Sequence, residues 1–152
     1  MNDVCQAGIA EDVARTGPDA GALSAVLATA ERLQERLESA LVEIGLSISK
    51  FDALDQLASA DEPLTLSDLA SRLHCVRSNI TQLVDRLEAD GLVKRGMCPA
   101  DRRAVRAKVT PVGHERHAAG VGAIRAVQAE LAGKLEAKER AQLVQLLSAL
   151  VR

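Results

Sequence analysis

A chain of 152 residues suits one domain of ordinary size, with enough interior to bury a core. Its apolar share is 47%, but the aromatics reduce to Phe51, so few rings are offered to stack on a base or an aromatic ligand. The net charge of −2 excludes a chain that is basic throughout, and the lack of a leader-like or long apolar run speaks against export and against a membrane partner.

Residues 1–18 mix Gly, Asp, Ala and Pro18 with weak periodicity and read as a mobile arm. From about Asp19 to Ile44, Leu23, Leu27, Ala30, Leu33, Leu37 and Leu41 recur at helical spacing, with Glu31, Arg32, Glu35, Arg36 and Glu38 on other faces. Gly45 ends that helix. Ser47 caps a second, which carries Phe51, Leu54, Leu57 and Ala58 and stops at Asp61-Glu-Pro63.

Thr65 and Asp68 form a variant of the capping box, and Leu66, Leu69, Ala70 and Leu73 supply the buried stripe of a third helix. Thr65 and Ser67, at its start, are candidate phosphate contacts. A tight turn, His74-Cys75-Val76, leads to a fourth helix. Ile80, Leu83, Val84 and Leu87 stand at i, i+3, i+4 and i+7 and face inward. Gly91 closes it. Strand-like runs follow over Leu92–Arg95 and Val105–Thr110, joined by Pro99-Ala-Asp-Arg-Arg103.

Thr110-Pro111 starts a long helix, with a hydroxyl at the cap and proline at the first helical position. It runs to about Leu135, and Val121, Ile124, Val127 and Leu131 share one side. Gly120, Gly122 and Gly133 each cost roughly 1 kcal/mol relative to Ala there, which packing must offset. A last helix from about Lys138 carries Leu143, Leu146, Leu147 and Leu150. The first helix and the last two hold more apolar surface than a small domain needs, which argues for a homodimer made by both ends of the chain.

Charge is unevenly distributed. Residues 64–110 hold nine Lys/Arg against five acids, a net of +4, which leaves −6 for the rest. An acidic body with one basic segment is the footprint of a protein that docks one face on double-stranded DNA. On the fourth helix, Arg77, Ser78, Asn79, Thr81, Gln82 and Arg86 are short or forked donors of the kind that read base edges in a major groove. They equally describe an ordinary solvated face. The hairpin adds Arg95, Arg102, Arg103 and Arg106, with Lys108, around one turn. A thin cationic loop suits the narrow, negative minor groove. Asp101 is placed to pair with Arg103 and hold its guanidinium in one orientation.

These stretches together resemble the MarR family of winged helix-turn-helix transcriptional regulators. The resemblance is carried by Leu69-Ala70-Ser-Arg-Leu73, Ile80-Thr81-Gln-Leu-Val-Asp-Arg-Leu87-Glu88, Gly91-Leu92-Val93, Asp101-Arg102-Arg103 and Thr110-Pro-Val-Gly113, in that order. It implies a mainly α fold with a small β-hairpin: a winged helix-turn-helix lobe plus a helical dimerisation region from both termini. The implied division is an arm over 1–18, a dimerisation helix over 19–46, the lobe over 47–110 with its wing at about 92–110, and dimerisation helices over 111–152. It further implies a homodimeric DNA-binding regulator, usually a repressor on a pseudo-palindromic operator, released by a small-molecule effector or an oxidant. Asp101 and Arg103 match the family's wing pair. Two departures stand out. Val76 occupies the position where the family has a capping serine, at a cost of roughly 1 kcal/mol. The ring-rich effector pocket of many relatives has only Phe51 to build it.

The three cysteines follow no framework spacing, so a reduced, cytoplasmic protein without a structural disulfide is expected. Cys75 reads as buried in the helix-turn-helix turn. Cys98, near Arg95 and Arg102, and Cys5 in the arm are candidate redox residues. His114 and His117 lie three apart with Glu115 nearby, but no local ligand completes a metal site. No nucleophile–base set or phosphate loop is present, so neither catalysis nor a cofactor is expected. Two alternatives remain open: a winged-helix protein-interaction module without DNA binding, motivated by the acidity and by Asp85, and a cysteine-based redox-sensing regulator.

Overall fold

A computed structural model describes the backbone of residues 3–97 and 105–150, and the side chains of 21–96 and 105–150. The order is α1 (Asp3–Val42), α2 (Ile48–Ala58), β1 (Leu64–Thr65), α3 (Leu66–Arg72), α4 (Arg77–Ala89), β2 (Val93–Met97), β3 (Val105–Val109), α5 (Pro111–Ala132) and α6 (Ala137–Leu150). Contacts divide the chain into two units, residues 1–39 and 40–152. The first is the greater part of α1 alone. That helix begins at Asp3, well ahead of the expected Asp19, so the stretch read as an arm has helical backbone. Extending a helix already nucleated costs far less than starting one, so weak periodicity does not end it.

The second unit builds its core from one face of each short element. Leu41, Leu46, Ala53, Leu54, Leu57, Leu66, Leu69, Ala70, Ile80, Val84, Leu87, Leu92, Val93, Ala107 and Val109 are buried together, with no buried polar side chain among the described residues. The caps are those the sequence proposes. Ser47 Oγ accepts from Lys50 N–H at 3.3 Å, and Thr110 Oγ1 accepts from Gly113 N–H at 3.0 Å. The Thr110 hydroxyl also donates to the Gly91 carbonyl at 2.7 Å, which ties the start of α5 to the end of α4.

The sheet has three strands rather than the expected hairpin of two. Its order is β1-β3-β2, all antiparallel. Leu64 pairs with Ala107 and Thr65 with Arg106, while Val93 pairs with Val109 and Lys94 with Lys108. Two residues carry no alternation, so β1 is invisible to a periodicity argument. Val93, Ala107 and Val109 point to the core, which leaves Lys94 and Lys108 on the outer face.

Gly113 sits where α5 leaves the sheet. A Cβ there would lie 2.0 Å from the Leu92 carbonyl oxygen and 2.7 Å from Val109 Cγ1, so only glycine fits. Gly120 is likewise covered, by the Phe51 ring, whereas a Cβ on Gly122 would meet nothing within 4 Å. Packing therefore accounts for Gly120 but not for Gly122.

Candidate nucleic-acid interface

The helix-turn-helix is assembled by caps and a sharp turn. Thr65 Oγ1 accepts from Asp68 N–H at 3.1 Å and donates to Asp68 Oδ2 at 2.7 Å. The carboxylate thus takes the threonine hydroxyl instead of reaching back to the backbone as a full capping box does. This commits Thr65 to the cap and leaves Ser67 as the exposed hydroxyl of the two proposed for phosphate.

His74 then turns the chain at φ 50, a left-handed conformation that histidine tolerates better than bulkier residues. Cys75 N–H closes the turn on the Ala70 carbonyl at 3.0 Å. The Cys75 side chain is exposed, contrary to the expected buried thiol. The interior beneath the turn is filled by Leu69, Ala70 and Ile80, so the left-handed step swings residue 75 outward.

At the start of α4, Val76 provides no side-chain cap, as its aliphatic side chain dictates. The helix buries Ile80, Val84 and Leu87. Arg77, Ser78, Asn79, Gln82 and Arg86 are exposed on the remaining face. Thr81 departs from the expected set: it is half-buried, and its hydroxyl donates to the Arg77 carbonyl at 3.1 Å. Five of the six candidate residues on α4 are therefore exposed, and Thr81 is not.

Two arginines expected as wing contacts, Arg95 and Arg106, are half-buried and engaged by partners within the lobe. Arg95 Nη1 lies 2.6 Å from Asp85 Oδ1, its Nη2 donates to the Thr81 carbonyl at 3.0 Å, and its Nε lies 3.6 Å from Glu88 Oε2. The Glu88 carboxylate also accepts from the Arg95 backbone N–H at 2.9 Å. Arg106 Nη1 donates to the Pro63 carbonyl at 2.8 Å and approaches Glu62 at 3.9 Å. Each fixes a strand of the wing to a helix or loop beside it. A count of basic residues misses this, because partners from distant parts of the chain decide which cations are spent internally. Asp101, Arg102, Arg103 and Cys98 lie outside the described residues, as does the side chain of Cys5.

A second polar cluster joins α2 to α5. His117 Nε2 lies 2.9 Å from Asp55 Oδ1, and its ring stacks on Phe51 with centroids 5.5 Å apart. Neighbouring Asp52 has its carboxyl pKa raised above the usual value, first by desolvation and then by the Asp55 charge. His117 is thus packed against Phe51 and bonded to a carboxylate from another helix, not joined with His114 in a metal site. Among the described residues no group of three or more His, Cys, Asp or Glu is arranged for a metal ion, and no helix is long and apolar enough to cross a membrane.

Known proteins of the same architecture carry the comparison further. A model of the MarR family matches residues 44–104, from the end of α1 to the wing. The HTH-type transcriptional regulator PrsX of Escherichia coli is 33% identical over 84 residues, covering 55% of this chain and 51% of that protein. The chain spans about half the length of the curated relatives it matches first. Among solved structures, the YusO protein from Bacillus subtilis superposes with a TM-score of 0.73 at 21% identity, over 90% of this chain and 98% of that one. A cysteine-to-serine mutant of MarR from E. coli, complexed with operator DNA, gives a TM-score of 0.72 at 24% identity, over 85% and 92% of the two chains. The likeness to these structures is one of fold: a mostly helical chain with a small three-stranded antiparallel sheet as the wing. Residues 44–104 of the chain thus match the MarR family, and the chain has the fold of the solved structures to which it is similar.

Proposed function

We propose that this protein is a sequence-specific DNA-binding transcriptional regulator, a repressor that acts as a homodimer on a pseudo-palindromic operator. The observation that carries the reading is the outward face of α4. Arg77, Ser78, Asn79, Gln82 and Arg86 are exposed there, on a helix anchored from behind by Ile80, Val84 and Leu87. Side chains of this kind match the donor and acceptor pattern of base edges. Arg102 and Arg103 would then enter the flanking minor grooves, with Asp101 orienting Arg103, and Ser67 would meet a phosphate. A relative of the same fold complexed with operator DNA supports the mode of docking.

Support for the dimer comes from α6. None of its residues is buried within one chain, and Leu143, Val144, Leu146, Leu147 and Leu150 are all exposed. An unpartnered apolar helix of this length calls for a second copy. The two recognition helices would enter major grooves about 34–36 Å apart on one face of the duplex. Of the two observations that favour docking of a protein instead, the acidity and Asp85, the second is weakened by the ion pair of Asp85 with Arg95.

Selection of bound duplexes from a random pool tests the proposal. A palindrome whose half-sites lie one helical turn apart, bound with a steep salt dependence, is the expected result. Recovery of no sequence above background, with no saturable binding at low salt, would sink it.

A further inference from the structure

Among the described side chains from α2 through β2, Val76 is the one large apolar group left exposed, at 64% of its surface. It stands at the N-cap of α4, where an aliphatic group satisfies none of the free backbone N–H groups of the first turn. Burial does not offset this, because every residue from His74 to Asn79 is exposed. The backbone fixes the position all the same: the Val76 carbonyl accepts from Asn79 N–H at 3.0 Å, with φ −70 and ψ 143. We propose that Val76 is a specificity-determining residue, whose methyl groups pack on the 5-methyl group of one thymine in each half-site of the operator.

Position and chemistry converge on that group. A lone exposed valine is ordinary on a protein surface. What sets this one apart is its place at a cap, where Ser, Thr, Asp or Asn would stabilise the helix, and at the end of α4 whose residues meet base edges. Arg77, Ser78 and Asn79 follow directly and are exposed, so hydrogen-bonding edges already have polar readers. The thymine methyl is the apolar feature of the major-groove pattern. An apolar side chain takes it without leaving a donor or acceptor unpaired. A β-branched side chain also has few rotamers, so valine is held ready at little entropic cost. A hydroxyl at this position would cap α4 but would turn a polar group toward the methyl.

This rests on the regulator reading and deepens it by naming one base contact. The selected operator is remade with each thymine in turn, in both half-sites, replaced by deoxyuridine, which removes the methyl group alone. The full chain is titrated on each duplex. At one position the parent should lose about fourfold in affinity for each half-site, the effect of one buried methyl group. Val76→Ser and Val76→Gly should bind the thymine and deoxyuridine duplexes equally at that position. Val76→Ser should also raise Tm by about 2–4 °C by capping α4, so its lost preference is not a lost fold. A parent indifferent to every replacement, or variants that keep the parent's preference, overturns the inference and leaves the regulator standing. Failure to recover any operator removes the regulator reading, and the inference with it.

Discussion

The guanidinium of Arg95 on β2 lies 2.6 Å from the carboxylate of Asp85 on α4 and donates to the α4 carbonyl of Thr81. One side chain thereby locks β2 to α4. The side chain is 23% exposed, so its ion pairs are partly screened, but its bond to the Thr81 carbonyl is partly buried. Replacing it removes charge-assisted hydrogen bonds and leaves Glu88 and Asp85 close together. Arg95→Ala should cost about 1–3 kcal/mol in denaturant unfolding. Arg95→Lys should recover little of that, because an ammonium lacks the fork that reaches both partners. A variant as stable as the parent would mean that Arg95 is free for DNA after all.

The glycines of α5 separate into cases with opposite outcomes. At Gly113 a methyl group would press on the Leu92 carbonyl oxygen and on Val109. The obstacle is backbone, which yields little, so Gly113→Ala should destabilise by about 2 kcal/mol or more. At Gly122 the same methyl group meets open space. Gly122→Ala should stabilise by about 0.5–1 kcal/mol through helix propensity and the stiffer unfolded chain. Thermal unfolding of the two variants beside the parent checks both signs.

Asp52 gives a pH signature. Its folded pKa is raised above 3.8, chiefly by desolvation and further by Asp55. The folded state therefore holds this proton more tightly than the unfolded chain does. The group's contribution is fully present below about pH 3.8 and is lost as pH rises through the higher folded value. Asp52→Asn should remove that decline, and so be more stable than the parent at pH 7 while gaining nothing at pH 3.5. Unfolding midpoints measured across this range decide it, and a constant difference between the two proteins would contradict the assignment.

The lobe was legible in the sequence because its elements announce themselves locally. Ser47, Thr65 and Thr110 are caps, and Ile80, Val84 and Leu87 repeat at helical spacing. What escaped depends on pairs far apart in the chain. Arg95 and Arg106 look like DNA donors until Asp85, Glu88, Glu62 and Pro63 are found beside them. His117 likewise finds its partner, Asp55, on a helix distant in sequence. Cys75 differs from its expected burial for a local reason: it follows the left-handed turn at His74 and is exposed.

Within the proposed DNA complex, helix and wing should fail in different ways. Gln82 is exposed on α4, and a carboxamide there can bond bidentately to adenine. Gln82→Ala should cost about 1–3 kcal/mol on the selected operator and little on unrelated DNA, so discrimination between sequences falls while the salt slope stays the same. Arg103→Ala should instead weaken operator and non-operator duplexes alike and lower the salt slope by about one, because a minor-groove guanidinium acts mainly through charge. Fluorescence anisotropy across a salt series, on both duplexes and with both variants, separates the two patterns. If Gln82→Ala weakened both duplexes equally, base reading would have to move to Arg77, Ser78 or Asn79. If Arg103→Ala left the salt slope unchanged, the wing would lose its role.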